Sequence, residues 1–293
     1  MACYAILDMR HHPIRQRKTP LMIHTMTTTA PRISISQTGP APGTAPAIVF
    51  LHGIGSNRSH WDDQLSFFAT QGFTCIAPDF RGYGGSDDYD GPLDFINDFA
   101  NDVLRTLDHC GIEQVHLVGL SMGGRVARWF WKLHPARVLS LTLANTQPGF
   151  DALGKEATEA FVNARLGPLL AGHSPADNAS ALARGLLGPA AAPGAVDKLI
   201  AAMTALHRDS YMKTVRASVE QDRGFALNEI NLPTLVIAGG EDKLYPPALA
   251  TSMAQQIAGS TLKVIASAGH LSNIEQPDAF NRVLLKFLQS LAA

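Results

Sequence analysis

Short apolar runs alternate with longer stretches of helical spacing along most of the chain. Ile33 and Ile35 alternate with polar neighbours over Arg32–Gln37 and predict an edge strand. The runs 47–51, 73–77, 115–120, 137–144, 234–238 and 261–266 are apolar and of strand length, as buried strands are. Between them, Ser59–Gln71 places Trp61, Leu65 and Phe68 on one face, and Leu93–Cys110 does the same with Phe95, Phe99, Val103 and Leu107. Arg125–Leu133, Pro246–Ile257 and Asp278–Leu291 are further helical stretches. Strand alternating with helix predicts an α/β fold: a mostly parallel sheet with helices on both faces.

The alternation lapses from Gln147 to about Asn228, where Ala, Leu, Gly and Pro dominate. Four helices are expected there, Asp151–Leu166, Pro175–Leu187, Ala195–His207 and Asp209–Asp222, broken by Gly167-Pro168, Gly188-Pro189 and Pro193-Gly194. Because the sheet pattern resumes afterwards, 147–228 reads as a helical cap, or lid, over the strand ends, inserted into a core of 30–146 and 229–293. Its low charge suggests a modestly apolar pocket. Residues 1–29 read as a disordered leader, with Arg10, Arg15, Arg17 and Lys18 against Asp8 and no apolar segment of secretory length.

Composition narrows the function classes. Hydrophobic residues make up 46% of the 293 residues, enough for a sizeable core. The net charge of −1 argues against a nucleic-acid partner, and no apolar run is long enough to span a bilayer. Three cysteines, Cys3, Cys75 and Cys110, lack metal-ligand spacing and fit a reducing, cytoplasmic compartment, with Cys75 and Cys110 as core residues. No metal or cofactor is implied, and the oligomeric state is not readable.

The chemistry concentrates at Val115–Gly124. A buried strand runs into Gly119-Leu120-Ser121-Met122-Gly123, and a helix follows. Glycines at both flanks let the chain turn sharply and hold the Ser121 hydroxyl clear of the backbone. A serine needs an adjacent base, and the base needs an acid to fix its tautomer. His270 follows the last strand and Asp242 the one before it, and ligands bind at such strand ends in parallel sheets. The order Ser121, Asp242, His270 is that of a nucleophile–acid–base triad built on such an elbow. Glu241 is the rival acid. His52 is expected to brace the turn it opens. Asp79 and Arg81 are expected to tie their own loop down, Arg125 and Arg128 to pair on the helix surface or else bind a substrate carboxylate, and Trp129 and Trp131 to pack.

Over roughly Ile33 to Leu291 the chain resembles the α/β-hydrolase fold family. The resemblance is carried by His52-Gly53-Ile54-Gly55, Asp79-Phe80-Arg81-Gly82-Tyr83-Gly84, the Ser121 elbow, Gly239-Gly240-Glu241-Asp242 and Gly269-His270. Together with the run Ala268–Pro277, the elbow is similar to those of 3-oxoadipate enol-lactonases and small carboxylesterases, although many enol-lactonases carry Asn-Ser-Leu-Gly where this chain has His-Gly-Ile-Gly. The resemblance implies an eight-stranded type of sheet and an oxyanion hole made by the backbone N–H groups of Ile54 and Met122. It also implies a small-molecule ester or lactone substrate. Two other readings stay open: a carbon–carbon bond hydrolase of aromatic degradation, which usually has Trp where Leu271 stands, and a slow-turnover ligand receptor on the same fold. Haloalkane dehalogenases and epoxide hydrolases place Asp at the position of Ser121.

The leader reading expects the native chain to start at Met26. Mass spectrometry of the native N-terminus checks this, and a peptide spanning His11 to Pro20 would contradict it.

Overall fold

The computed structural model of the protein describes residues 21–291. Eight strands form one sheet: β1 (Ile23–Met26), β2 (Ser34–Thr38), β3 (Ala47–Leu51), β4 (Thr74–Pro78), β5 (Val115–Leu120), β6 (Val138–Ala144), β7 (Thr234–Gly239) and β8 (Thr261–Ile265). Their spatial order is β1-β2-β4-β3-β5-β6-β7-β8. β1 pairs with β2, and β2 with β4, antiparallel; every other pairing is parallel. β3 and β5 lie mid-sheet, so their carboxyl ends, carrying His52 and Ser121, emerge side by side.

The flanking helices include α1 (Asp62–Thr70), α2 (Phe95–His109) and α3 (Met122–Leu133). Trp61, Leu65 and Phe68, and Phe95, Phe99, Val103 and Leu107, are all buried, as their spacing predicts. Asp94 caps α2 by accepting from the N–H groups of Ile96 and Asn97. Cys75 and Cys110 are free and buried, which pushes both thiols up, Cys110 to about 11.

Between β6 and β7 come α4 (Lys155–Leu170), α5 (Pro175–Leu186), α6 (Ala195–Thr204) and α7 (Arg208–Gln221). After β7 follow α8 (Pro247–Gln256), the short α9 (Ser272–Glu275) and α10 (Pro277–Ser290). The inserted helices reach the strand-end loops. The His270 N–H donates to Leu186 O at 2.7 Å, and the His60 ring lies 3.2 Å from Lys198 O.

The structure corrects three readings. Ile23–Met26 falls inside the expected leader yet forms β1, so β2 is second from the edge and a start at Met26 would remove most of a strand; residues 1–20 lie outside the described residues. Gly167-Pro168 does not end its helix: α4 runs through to Leu170. Proline cannot donate to the carbonyl four residues back, and the Asn178 side chain of α5 occupies that carbonyl, Ala164 O, at 3.0 Å. Arg125 and Arg128 are not on the helix surface. They are 1% and 0% exposed and share one buried acid, Asp222, at 2.8 and 2.7 Å.

Asp222 directly follows α7 and also accepts from the Trp129 indole at 2.7 Å. It therefore ties the inserted helices to α3. Burial pushes its carboxyl up, but Arg128 and Arg125 outweigh this and hold its pKa below the usual value. Asp222→Ala leaves two buried guanidinium groups unpaired and is expected to cost about 3–5 kcal/mol in urea unfolding. In the native protein this contribution is complete above the unfolded carboxylate pKa of about 3.9 and is lost as pH falls through the lower folded value.

Candidate active site

One residue separates β5 from α3. Ser121 has φ 54° and ψ −115°, a backbone shape that side-chain-bearing residues rarely adopt. Its neighbours permit it. A Cβ on Gly119 would lie 2.2 Å from Gly123 O, and a Cβ on Gly123 would lie 2.1 Å from Leu51 O. The corner is then pinned on both sides. The Ser121 N–H donates to Ala144 O at 2.9 Å, and its carbonyl accepts from the Thr146 hydroxyl at 2.7 Å.

The three residues singled out from the sequence meet here. His270 Nε2 lies 3.0 Å from Ser121 Oγ, and His270 Nδ1 lies 2.9 Å from Asp242 Oδ2. A carboxylate only accepts, so Nδ1 carries the proton and Nε2 is left to accept from the serine hydroxyl. Asp242 Oδ1 takes the N–H groups of Leu244 and Tyr245, each at 2.9 Å, and Oδ2 takes the Asn145 amide at 3.1 Å. Burial raises the Asp242 pKa; His270 and these hydrogen bonds outweigh it and hold the group below its ordinary value, ionised at neutral pH. The rival acid, Glu241, faces solvent.

The His52–Gly55 turn packs directly on the corner: a Cβ on Gly53 would lie 3.3 Å from Ser121 Cβ. His52 braces it. Its Nε2 accepts from the Phe80 N–H at 3.1 Å, so Nδ1 donates to Gly53 O at 2.9 Å. Burial, the largest cause, lowers the His52 pKa and favours this neutral form. His60 is held likewise between the Ser56 hydroxyl at 2.6 Å and Lys198 O, and burial lowers its pKa to about 4. The Ile54 N–H bonds none of the described residues, and the Met122 N–H, in the first turn of α3, has no intrahelical acceptor.

The adjoining acidic loop is tied differently from the sequence expectation. Asp79 does bind its own loop through the Gly85 N–H at 2.9 Å, and it also holds Arg58. Arg81 instead reaches out to Asp98 and Asp102 on α2, at 2.6 and 2.7 Å.

Two site residues escaped the sequence reading. Asn145, at the end of β6, bridges Asp242 and Gly269 O and accepts from the Ser272 hydroxyl at 2.5 Å. It obeys the same strand-end rule that pointed to Asp242. Glu275 is fully buried, and its carboxylate accepts the N–H groups of Gly269 and Leu271, which flank His270, and of Gly188 in the inserted segment. Its position in a short helix gave no signal for that role.

The sequence model of the alpha/beta hydrolase fold matches residues 46–277. The chain belongs to the alpha/beta hydrolase fold family. It is 30% identical over 262 residues to a 3-oxoadipate enol-lactonase of Acinetobacter baylyi, covering 88% of this chain and 94% of that one. It is 29% identical over 268 residues to a 2-hydroxy-6-oxononadienedioate/2-hydroxy-6-oxononatrienedioate hydrolase of Paraburkholderia phymatum, covering 88% and 91%. Among solved structures, a hydrolase from Pseudomonas aeruginosa superposes with TM-score 0.77 at 30% identity, covering 90% of this chain and 98% of that chain. No described helix is long and apolar enough to cross a membrane.

Removing the Glu275 carboxylate strands the buried N–H donors of Gly269 and Leu271 and the half-buried one of Gly188, each charge-assisted bond being worth roughly 1.5–3 kcal/mol. Glu275→Ala is expected to destabilise the fold by about 4 kcal/mol or more, whereas the exposed Glu241→Ala stays within about 0.5 kcal/mol. Paired urea titrations check the contrast.

Proposed function

We propose that this hydrolase cleaves a carboxylic ester or lactone through an acyl-enzyme on Ser121, with His270 as base and Asp242 as its orienting acid. The carrying observation is the continuous line Asp242–His270–Ser121, with contacts of 2.9 and 3.0 Å, set on a strained corner. Ser121 Oγ attacks the carbonyl carbon while its proton passes to His270 Nε2. The oxyanion of the tetrahedral intermediate is held by the N–H groups of Ile54 and Met122, each such donor being worth about 10²–10³ in rate. Collapse breaks the carbon–oxygen bond, and His270 returns the proton to the leaving alkoxide. Water, deprotonated by His270, then attacks the acyl-serine, and the carboxylic acid leaves with Ser121 restored. The inserted helices act as the cap over this site, and Ser121 and His270 are only 4% and 3% exposed beneath them. The free, buried Cys75 and Cys110 support a reducing, cytoplasmic setting.

The likeness to a 2-hydroxy-6-oxononadienedioate/2-hydroxy-6-oxononatrienedioate hydrolase supports a second reading, carbon–carbon bond hydrolysis by the same serine. Para-nitrophenyl esters and lactones of graded chain length, run beside such a dienedioate, separate the two. Ester hydrolysis is expected to fall to background in Ser121→Ala, which also loses fluorophosphonate labelling, and by about 10⁴-fold in Asp242→Asn, which misorients the imidazole. Full ester turnover in Ser121→Ala refutes the proposal. Tight ligand binding with no turnover by the native protein would instead mark a receptor.

A further inference from the structure

Asn145 directly follows β6, the neighbour of the strand that carries Ser121. It is 2% exposed, and its φ is 45°. Among the described residues, Ser121 is the only other non-glycine with a positive φ. The two stand at the carboxyl ends of adjacent strands. A backbone shape of this kind persists only where the surroundings hold it, and asparagine tolerates it better than most residues. The Asn145 N–H donates to Ile237 O at 2.8 Å, which ties the turn to β7.

Both N–H groups and the carbonyl oxygen of the side chain are engaged. Nδ2 donates to Asp242 Oδ2 and to Gly269 O, each at 3.1 Å, and Oδ1 accepts from the Ser272 hydroxyl. The amide cannot be turned round, because its oxygen would then face a carboxylate and a carbonyl, which only accept. Asp242 Oδ2 is also the oxygen that takes His270 Nδ1 at 2.9 Å, while Oδ1 takes the Leu244 and Tyr245 N–H groups. Two donors thus share the oxygen that orients the base. Gly269 precedes His270 and Ser272 follows shortly after it, so one neutral amide touches the acid and both sides of the base loop.

A donor on Oδ2 offsets part of the carboxylate charge and weakens its hold on an imidazolium. Burial raises the Asp242 pKa; His270, the Tyr245 N–H and then the Asn145 amide lower it. The titratable groups around the His270 ring come from other elements: Asp242 after β7, Ser121 at the corner, and Tyr245 ahead of α8, whose ring centroid lies 5.2 Å away. Glu275 of α9 bonds the N–H groups on either side. A substitution at Asn145 leaves all four in place.

We infer that Asn145 is a positioning residue for the Ser121 reaction: its amide fixes the Asp242 carboxylate against the His270 loop and limits the pull of that carboxylate on the imidazole proton, so it sets the pH above which His270 acts as base. The inference rests on the hydrolase reading of Ser121 and deepens it.

The test is the pH profile of para-nitrophenyl butyrate hydrolysis by the full-length protein. Asn145→Gly removes the amide and suits the positive φ. Its plateau kcat is expected to fall about 10- to 100-fold, as for loss of a hydrogen bond to a charged group, with KM changed by less than about threefold. The acid limb of kcat/KM is expected to move up by about half a pH unit. Asn145→Asp puts a second carboxylate beside Asp242, and its acid limb is expected to move up by about one pH unit or more. This variant keeps the side-chain shape and the bond from Ser272, so it decides the case if the glycine variant does not fold. An acid limb that stays put or moves down in either folded variant overturns the inference. So does a fall in rate no larger than the loss of folded protein in thermal unfolding. Ser121→Ala retaining full ester turnover overturns the hydrolase reading instead, and a nitrogen NMR titration of His270 then decides the inference without turnover. Its midpoint is expected to rise in Asn145→Gly and to rise further in Asn145→Asp; an unchanged midpoint overturns the inference.

Discussion

The site depends on one strained peptide corner. Ser121 has a positive φ, which costs on the order of 1–3 kcal/mol for a residue of this kind, and the surrounding structure over-determines it. β5 hydrogen-bonds into mid-sheet on both sides, α3 begins at the next residue, and two glycines remove the Cβ atoms that would collide with Gly123 O and Leu51 O. The strain has a consequence for chemistry. A relaxed strand-to-helix connection would need several residues and would let the serine side chain move. A one-residue corner holds Oγ in register with an imidazole delivered by a loop 149 residues further along the chain.

Buried charge does the rest of the positioning. Glu275 collects the N–H groups on both sides of His270 and one from the inserted segment, so the His270 loop and the inserted segment share an anchor. Asp222 ties α7 to α3, the helix that starts at the corner. Asn145 joins the Asp242 carboxylate to the His270 loop. Pairs of this kind add little net stability compared with apolar packing, but breaking one is costly. They fix geometry.

Much of this was legible in the sequence, for physical reasons. Parallel strands buried on both faces show as continuous apolar runs, so β3 to β7 were found to within a residue or two. The strand-end rule located Ser121, Asp242 and His270 because a parallel sheet gathers its carboxyl ends on one side. What stayed hidden depends on tertiary partners. β1 is short and half exposed, so it shows little apolar pattern. Pro168 reads as a helix breaker unless Asn178 is known to occupy the freed carbonyl. Arg125 and Arg128 look like surface residues until an acid more than 90 residues away is brought to them.

The central claim is that His270 sits between carboxylate and hydroxyl with its Nδ1 protonated. Nitrogen NMR of histidine-labelled full-length protein reads this directly, since the two ring nitrogens report which one carries the proton. The account predicts that neutral His270 is the Nδ1–H tautomer, slow to exchange with solvent, and that Asp242→Asn abolishes that preference. A native His270 found mainly as the Nε2–H tautomer would contradict it, because that nitrogen could not accept the Ser121 proton.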